Sequence, residues 1–214
     1  MKALIFDSSS IISLALNNLL FILEPLKKIF EGKFYITETI KGELVEKSLD
    51  NERFSLEALM IKKLLDEKIL EVYKNRFEKE KVLNFANNTF FVDGSPIKLI
   101  HEGEASCIAL YKFLEAEKKA IVIDERTTRM LCEAPRQLHQ LLEKKLHKRV
   151  RTNEKNYRFF ENINIIRSSE LALIALEEGI IKLNASKEKI IRALLYALKF
   201  KGCSISKQEI EEIV

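Results

Sequence analysis

The sequence predicts an α/β fold built on a mainly parallel sheet. Short apolar runs of strand length alternate with amphipathic helical stretches along the 214 residues. Hydrophobic residues make up 47% and charged residues 32%, the balance of a folded chain with a sizeable core. Only 6 glycines and 3 prolines are present, so regular elements should dominate over long loops. A chain of this length forms one domain, or one domain with an elaboration.

Lys2 to Phe6 (KALIF) is an apolar run ending at an acid, as a buried parallel strand does at its carboxyl edge. Ser8, Ser9 or Ser10 can cap the next helix, whose apolar set includes Ile11, Ile12, Leu14, Leu16, Leu19 and Leu20. Pro25 fits the first turn of a second short helix through about Phe30. Lys33 to Ile36 is the second strand, and Thr37 or Thr39 caps a helix to about Lys47. Asn51 opens a helix through about Glu67, Ile69 to Tyr73 is a third strand, and Phe77 to Phe85 is helical. Asn87 to Ile100, with Asp93-Gly94-Ser95-Pro96, has turn chemistry around a short strand.

Glu102 to Glu117 is a helix, Ala120 to Ile123 a central strand, and Thr127 to Glu133 a helix interrupted by Pro135. Ile163 to Ile166 is a fifth strand. Ser169 to Glu178 is a helix with Gly179 just past its end, and Ser186 to Lys201 is a helix stopped by Gly202. Ser206 to Glu209 is a capping box that opens a last turn or two.

Composition and pattern exclude several classes. The apolar stretch Ile11 to Leu23 is broken by Asn17 and Asn18, too short and too polar to span a membrane or to serve as a signal. Cys107, Cys132 and Cys203 are odd in number and not in C-x-x-C spacing, so they read as reduced, buried thiols of a cytoplasmic protein. His101, His139 and His147 show no ligand spacing with them, which argues against zinc. Nucleotide-binding glycine loops are absent. A phosphoaspartyl phosphatase would want a second Asp at position 9, which is Ser. A zinc-protease helix would want His at position 105, which is Ala.

The acids carry more information. In open α/β sheets ligands bind beyond the carboxyl ends of the strands, at a switch in strand order. Asp7 and Asp124 each follow a short apolar strand, while Glu43 and Glu104 stand on helices among apolar neighbours. Glu104 has Ile108 rather than a base at i+4, whereas Glu43 has Lys47 available for an ordinary surface pair. Four carboxylates in one crevice would repel by roughly 3 kcal/mol per close pair, at about 5 Å and an effective dielectric of about 20. A divalent cation resolves this, and an oxygen-only set selects Mg²⁺ or Mn²⁺.

Four blocks carry a family likeness: Asp7-Ser8-Ser9 after the first strand, Ile36-Thr37 with Gly42-Glu43-Leu44, Gly103-Glu104-Ala105 with Ile108-Ala109-Leu110, and Ile121 to Arg126 with Arg129. In order, spacing and context this set resembles the acidic blocks of a PIN domain, as in VapC-type nucleases of prokaryotes. Leu171 to Ile181, Gly202 and Ile205-Ser206 are similar to one prokaryotic branch of that superfamily.

The resemblance implies a three-layer α/β/α fold around a mainly parallel sheet of about five strands. It also implies a Mg²⁺- or Mn²⁺-dependent ribonuclease, with Asp7, Glu43, Glu104 and Asp124 as catalytic and metal-holding residues. Ser9 is placed to orient a metal-bound water, and Glu125 could substitute for or supplement Asp124. Arg129 could hold the acids, contact a phosphate, or be an exposed helix arginine. A toxin role, an antitoxin partner and a homodimer are implied by resemblance alone. The segments 51–100 and 135–161 are longer than a minimal member needs, so the expected organisation is one domain over 1–214. A basic insertion at about 135–161 and a helical C-terminal extension from about 169 complete it.

Charge is unevenly spread. The chain holds 36 bases and 32 acids, a net +4. Arg136, Lys144, Lys145, Lys148, Arg149, Arg151, Lys155 and Arg158 face only Glu143 and Glu154 within 23 residues, a local +6 that leaves −2 for the rest. With Tyr157, Phe159 and Phe160 at its end, this stretch either tracks an RNA backbone or is a solvated insertion with aromatics docked on the core. The rival to an enzyme is a non-catalytic RNA-binding or scaffold protein of the same fold, but the intact acids, which repel phosphate, speak against it.

Overall fold

A computed structural model describes residues 1–49, 52–74 and 77–214. In chain order the elements begin β1 (Lys2–Phe6), α1 (Ser8–Leu16), α2 (Leu23–Phe30), β2 (Lys33–Thr37) and α3 (Glu38–Lys41). A turn of π-helix (Gly42–Glu46) leads into α4 (Lys47–Leu49), then α5 (Ser55–Asp66), β3 (Glu71–Tyr73) and α6 (Lys79–Asn87). Next come β4 (Phe90–Val92), β5 (Ser95–Pro96), α7 (Glu102–Phe113), β6 (Lys118–Val122), α8 (Arg126–Glu133) and α9 (Pro135–Leu146). The chain closes with β7 (Arg151–Thr152), α10 (Tyr157–Phe160), β8 (Ile165–Ile166), α11 (Ser168–Glu177), α12 (Lys187–Phe200) and α13 (Lys207–Ile213). The expected helix start at Asn51 lies outside the described residues.

The main sheet has five parallel strands in the order β3-β2-β1-β6-β8, with helices flanking it, as the sequence predicts. β1 is central: Leu4 pairs with Phe34 of β2 on one side and with Ala120 of β6 on the other. The chain leaves β1 toward β2 and returns on the opposite side as β6, so the switch in strand order falls between β1 and β6. β1 is buried on both faces, with Ala3, Ile5 and Phe6 fully inaccessible. That explains why it reads as a continuous apolar run rather than an alternating one. Leu14 of α1 and Ile22 and Leu23 at the turn into α2 are equally buried. Burying each such side chain contributes roughly 1.5–3 kcal/mol.

Two local features differ from the sequence reading. Residues 90–96 form a hairpin, β4 to β5, whose two-residue turn is Asp93 (φ 51°) and Gly94 (φ 84°), the left-handed pair such a tight turn demands. β7 pairs with the other side of β4, which makes a small antiparallel sheet, β5-β4-β7. The basic stretch after Pro135 is therefore a 12-residue helix followed by a strand tied into that sheet. Its aromatics dock inward: Phe160 is fully buried, Tyr157 packs on Phe90, and Phe159 stacks on Phe85 with ring centres 4.3 Å apart.

Cys107, Cys132 and Cys203 are free and buried. Among the described residues no single helix is long and apolar enough to cross a membrane.

Candidate active site

Asp7 follows β1 directly and caps α1, a role that the sequence assigns to one of the serines after it. Its Oδ2 accepts the Ser9 backbone N–H at 3.0 Å and the Ser9 hydroxyl. The backbone N–H of Asp7 extends the β1–β6 ladder to Val122 O at 2.9 Å, which fixes the residue at the switch point. Ser10 Oγ reinforces the junction by donating to Val122 O at 2.9 Å. Only 2% of Asp7 is exposed, and its Oδ1 is buried with no hydrogen-bond partner among the described residues. Burial, with the charges of Glu104 and Glu43, pushes the carboxyl up from 3.8 to about 7 against the two Ser9 hydrogen bonds.

Glu43 and Glu104 reach this region on helices that are pinned together. Thr37, which caps α3, bonds Ser106 Oγ of α7 at 2.7 Å, and Ser106 also donates to Gly103 O at 2.7 Å. Both Thr37 and Ser106 are fully buried, so this polar pin sets the distance between the two helix starts. Glu43 sits in the π-helical turn, whose wider winding re-aims side chains and recurs at functional sites. Its carboxylate lies over Gly103: a Cβ there would stand 3.0 Å from Oε1 and 3.1 Å from Oε2. Glu104, the next residue, gives Oε2 to the His101 N–H at 3.0 Å. Glu102 takes no part in this group and pairs with Lys79 at 2.8 Å.

Asp124 is fully buried but differently employed. Its Oδ1 accepts the Ser168 N–H at 2.8 Å and its Oδ2 the Ser168 hydroxyl at 2.6 Å, so both oxygens hold the start of α11. Ser9 Oγ accepts the Asp124 N–H at 3.1 Å while donating to Asp7, and so ties the two strand ends together. Glu125 caps α8, taking the N–H groups of Thr127 and Thr128 at 2.8 and 2.6 Å. The structure thus brings Glu43 and Glu104 near enough to Asp7 for their charges to raise its carboxyl, links Asp124 to Asp7 through Ser9, and sets Glu125 to capping.

Arg129 is largely buried. Its Nη2 donates to Ser204 O at 3.3 Å, Nη1 lies 3.8 Å from Glu133, and Nε has no partner among the described residues. Lys144, Lys145, Lys148, Arg149 and Arg151 are exposed on α9, the turn after it and β7. Lys148 pairs with Asp93 of the hairpin. Ser168 is a functional neighbour that sequence reasoning missed, because a serine 44 residues from Asp124 carries no local signal of that contact.

The donors gathered here are all oxygens. Asp7 offers a buried oxygen without a partner, and the absent Cβ of Gly103 leaves room for the Glu43 carboxylate. Such a set fits a hard divalent cation. Among the described residues no three His, Cys, Asp or Glu groups already stand grouped to hold a metal ion. A family model described as a PIN domain matches residues 3–137, from β1 into α9. No significant match came from the curated proteins or from the solved structures.

Proposed function

The chain belongs to the PIN-domain family, a nuclease fold, and from that premise we propose that it is a metal-dependent endoribonuclease. Asp7, Glu43 and Glu104 would hold Mg²⁺ or Mn²⁺, with Asp124 as the fourth acid of the crevice. The observation that carries this reading is the partnerless, buried Oδ1 of Asp7 at the β1–β6 switch point, beside two further carboxylates. A buried carboxylate oxygen without a donor is costly unless something positive meets it.

The bound cation would supply Lewis acidity at the scissile phosphate and offset its developing charge. The chain's own residues do the rest. Ser9 keeps Oδ2 of Asp7 occupied, so Oδ1 is the atom at which the carboxyl holds or releases a proton near neutral pH. Glu43 and Glu104 complete the negative pocket. Asp124, clamped by Ser168, ties the start of α11 to the end of β6.

RNA as the substrate is supported by the exposed bases on α9 and β7 and by the sequence resemblance. The likeness of Leu171 to Ile181, Gly202 and Ile205-Ser206 to the VapC-like branch supports a cytoplasmic toxin with an antitoxin partner, and a homodimer belongs to the same proposal. The test is cleavage of single-stranded RNA with Mg²⁺, Mn²⁺ or EDTA. Cleavage should need the cation, fall at least a hundredfold in Asp7→Asn, and fall less in Asp124→Asn. Cleavage indifferent to EDTA and to both substitutions contradicts the proposal. RNA binding without cleavage favours the scaffold role.

A further inference from the structure

Next to Asp124, and largely outside the segment that matches the PIN family, lies a depression of about 450 Å³ between α8 and the α12–α13 loop. Arg126 and Arg129 line it from one side, Lys199 and Lys207 from the other. Glu209 is the acid in its lining among the described residues, and its carboxylate is engaged by Arg167 at 2.8 Å. Arg129 is only partly neutralised, with Glu133 3.8 Å away.

Two donors in the lining stand without partners: Arg129 Nε and Ser204 Oγ are buried and make no hydrogen bond among the described residues. Two unmet donors among four cations are what an anionic oxygen satisfies. The floor is rigidly placed, since Ser204 N donates to Asp124 O at 3.1 Å and Lys199 Nζ to Ile205 O at 2.6 Å. On the rim Phe200 is 76% exposed and stacks on Tyr196 with ring centres 6.0 Å apart. An exposed aromatic beside a basic pocket is the arrangement that holds a base above its phosphate.

We propose that this depression is a subsite for single-stranded RNA flanking the cleavage site: Arg126, Arg129, Lys199, Ser204 and Lys207 hold a backbone phosphate and Phe200 stacks a base. It rests on the nuclease reading and places one flank of the substrate beside Asp124.

The test is the affinity of the full-length protein for labelled single-stranded RNA in EDTA, read across a salt series. Arg126→Gln, Lys199→Gln and Lys207→Gln together should weaken binding at least tenfold and flatten the slope of log affinity against log salt by about 2. The matched control, Lys182→Gln with Lys187→Gln and Lys189→Gln around the other end of α12, should change affinity less than twofold. Phe200→Ala should weaken binding about fivefold or more with its slope unchanged, and thermal melts confirm that each variant is folded.

A triple variant that binds like the wild type overturns the phosphate contact, and an unaffected Phe200→Ala overturns the stacking. A wild-type chain that binds an acidic peptide but not RNA overturns the subsite in favour of a protein partner. Cleavage by Asp7→Asn is the separate readout for the nuclease reading, so either idea can fail alone.

Discussion

Asp7 carries a charge that the fold leaves half unmet, and the consequence is measurable without any substrate. Burial first, then Glu104 and Glu43, raise its carboxyl from 3.8 to about 7 in the metal-free chain. A raised carboxyl contributes stability that is fully present below the unfolded value and is lost as pH rises through the folded one. The window is therefore about pH 4 to 7. Asp7→Asn should stabilise the metal-free protein at pH 8 by about 2–4 kcal/mol, and by less at pH 5, while abolishing cleavage. Thermal melts at the two pH values check the sign, and a destabilised variant at pH 8 contradicts it.

Gly103 offers a second handle, because an added Cβ meets the flexible end of Glu43 and Ile40 Cδ1 rather than backbone. Gly103→Ala should change stability by no more than about 1 kcal/mol yet lower cleavage about tenfold or more by displacing the Glu43 carboxylate. Cleavage and melting of the same preparation decide it. At this scale the sequence exposed Asp7 and Asp124 as strand-end acids. It could not show that Asp124 is clamped by a distant serine or that Glu125 caps a helix, since both depend on which N–H groups lie within reach after folding.

Elements were more legible where one physical rule acted alone. All five strands of the main sheet announced themselves as short apolar runs, and Gly179 and Gly202, both with positive φ, marked the helix ends. The π-helical turn that carries Glu43 was not legible, because the residues 39–47 pattern serves an α-helix equally well. The hairpin at Asp93-Gly94 was read only as a turn, since its partner strands are two and three residues long.

The basic element α9–β7 keeps its charges exposed, while the aromatics that follow it on α10 pack on the core. Any hold on RNA there is electrostatic. Neutralising Lys144, Lys145, Lys148 and Arg149 should then reduce the salt slope of RNA affinity by about 2–3, since each phosphate left without its counter-charge lowers the slope by about 0.7. A salt series that gives the wild-type slope removes this element from the interface.

For the whole molecule, the net charge of +4 divides into a slightly acidic body and a +6 segment. The main sheet places Asp7 and Asp124 where the strand order reverses, and the positive surfaces stand toward the end of the matched segment and on the elements after it. In the proposed function the acids and the bases serve different ends of one task, the acids holding a cation and the bases a polyanion.

The central claim is that the unmet charge of Asp7 belongs to a cation. Calorimetric titration of the metal-free protein with Mn²⁺ at pH 6 and pH 8, in buffers of different ionisation enthalpy, tests it most directly. The wild type should bind saturably and release nearly one proton at pH 6 but only about a tenth of one at pH 8, because a carboxyl near 7 must lose its proton to become a ligand. Asp7→Asn should lose both the tight binding and the released proton. Equal Mn²⁺ binding and equal proton release in the two proteins would contradict the account.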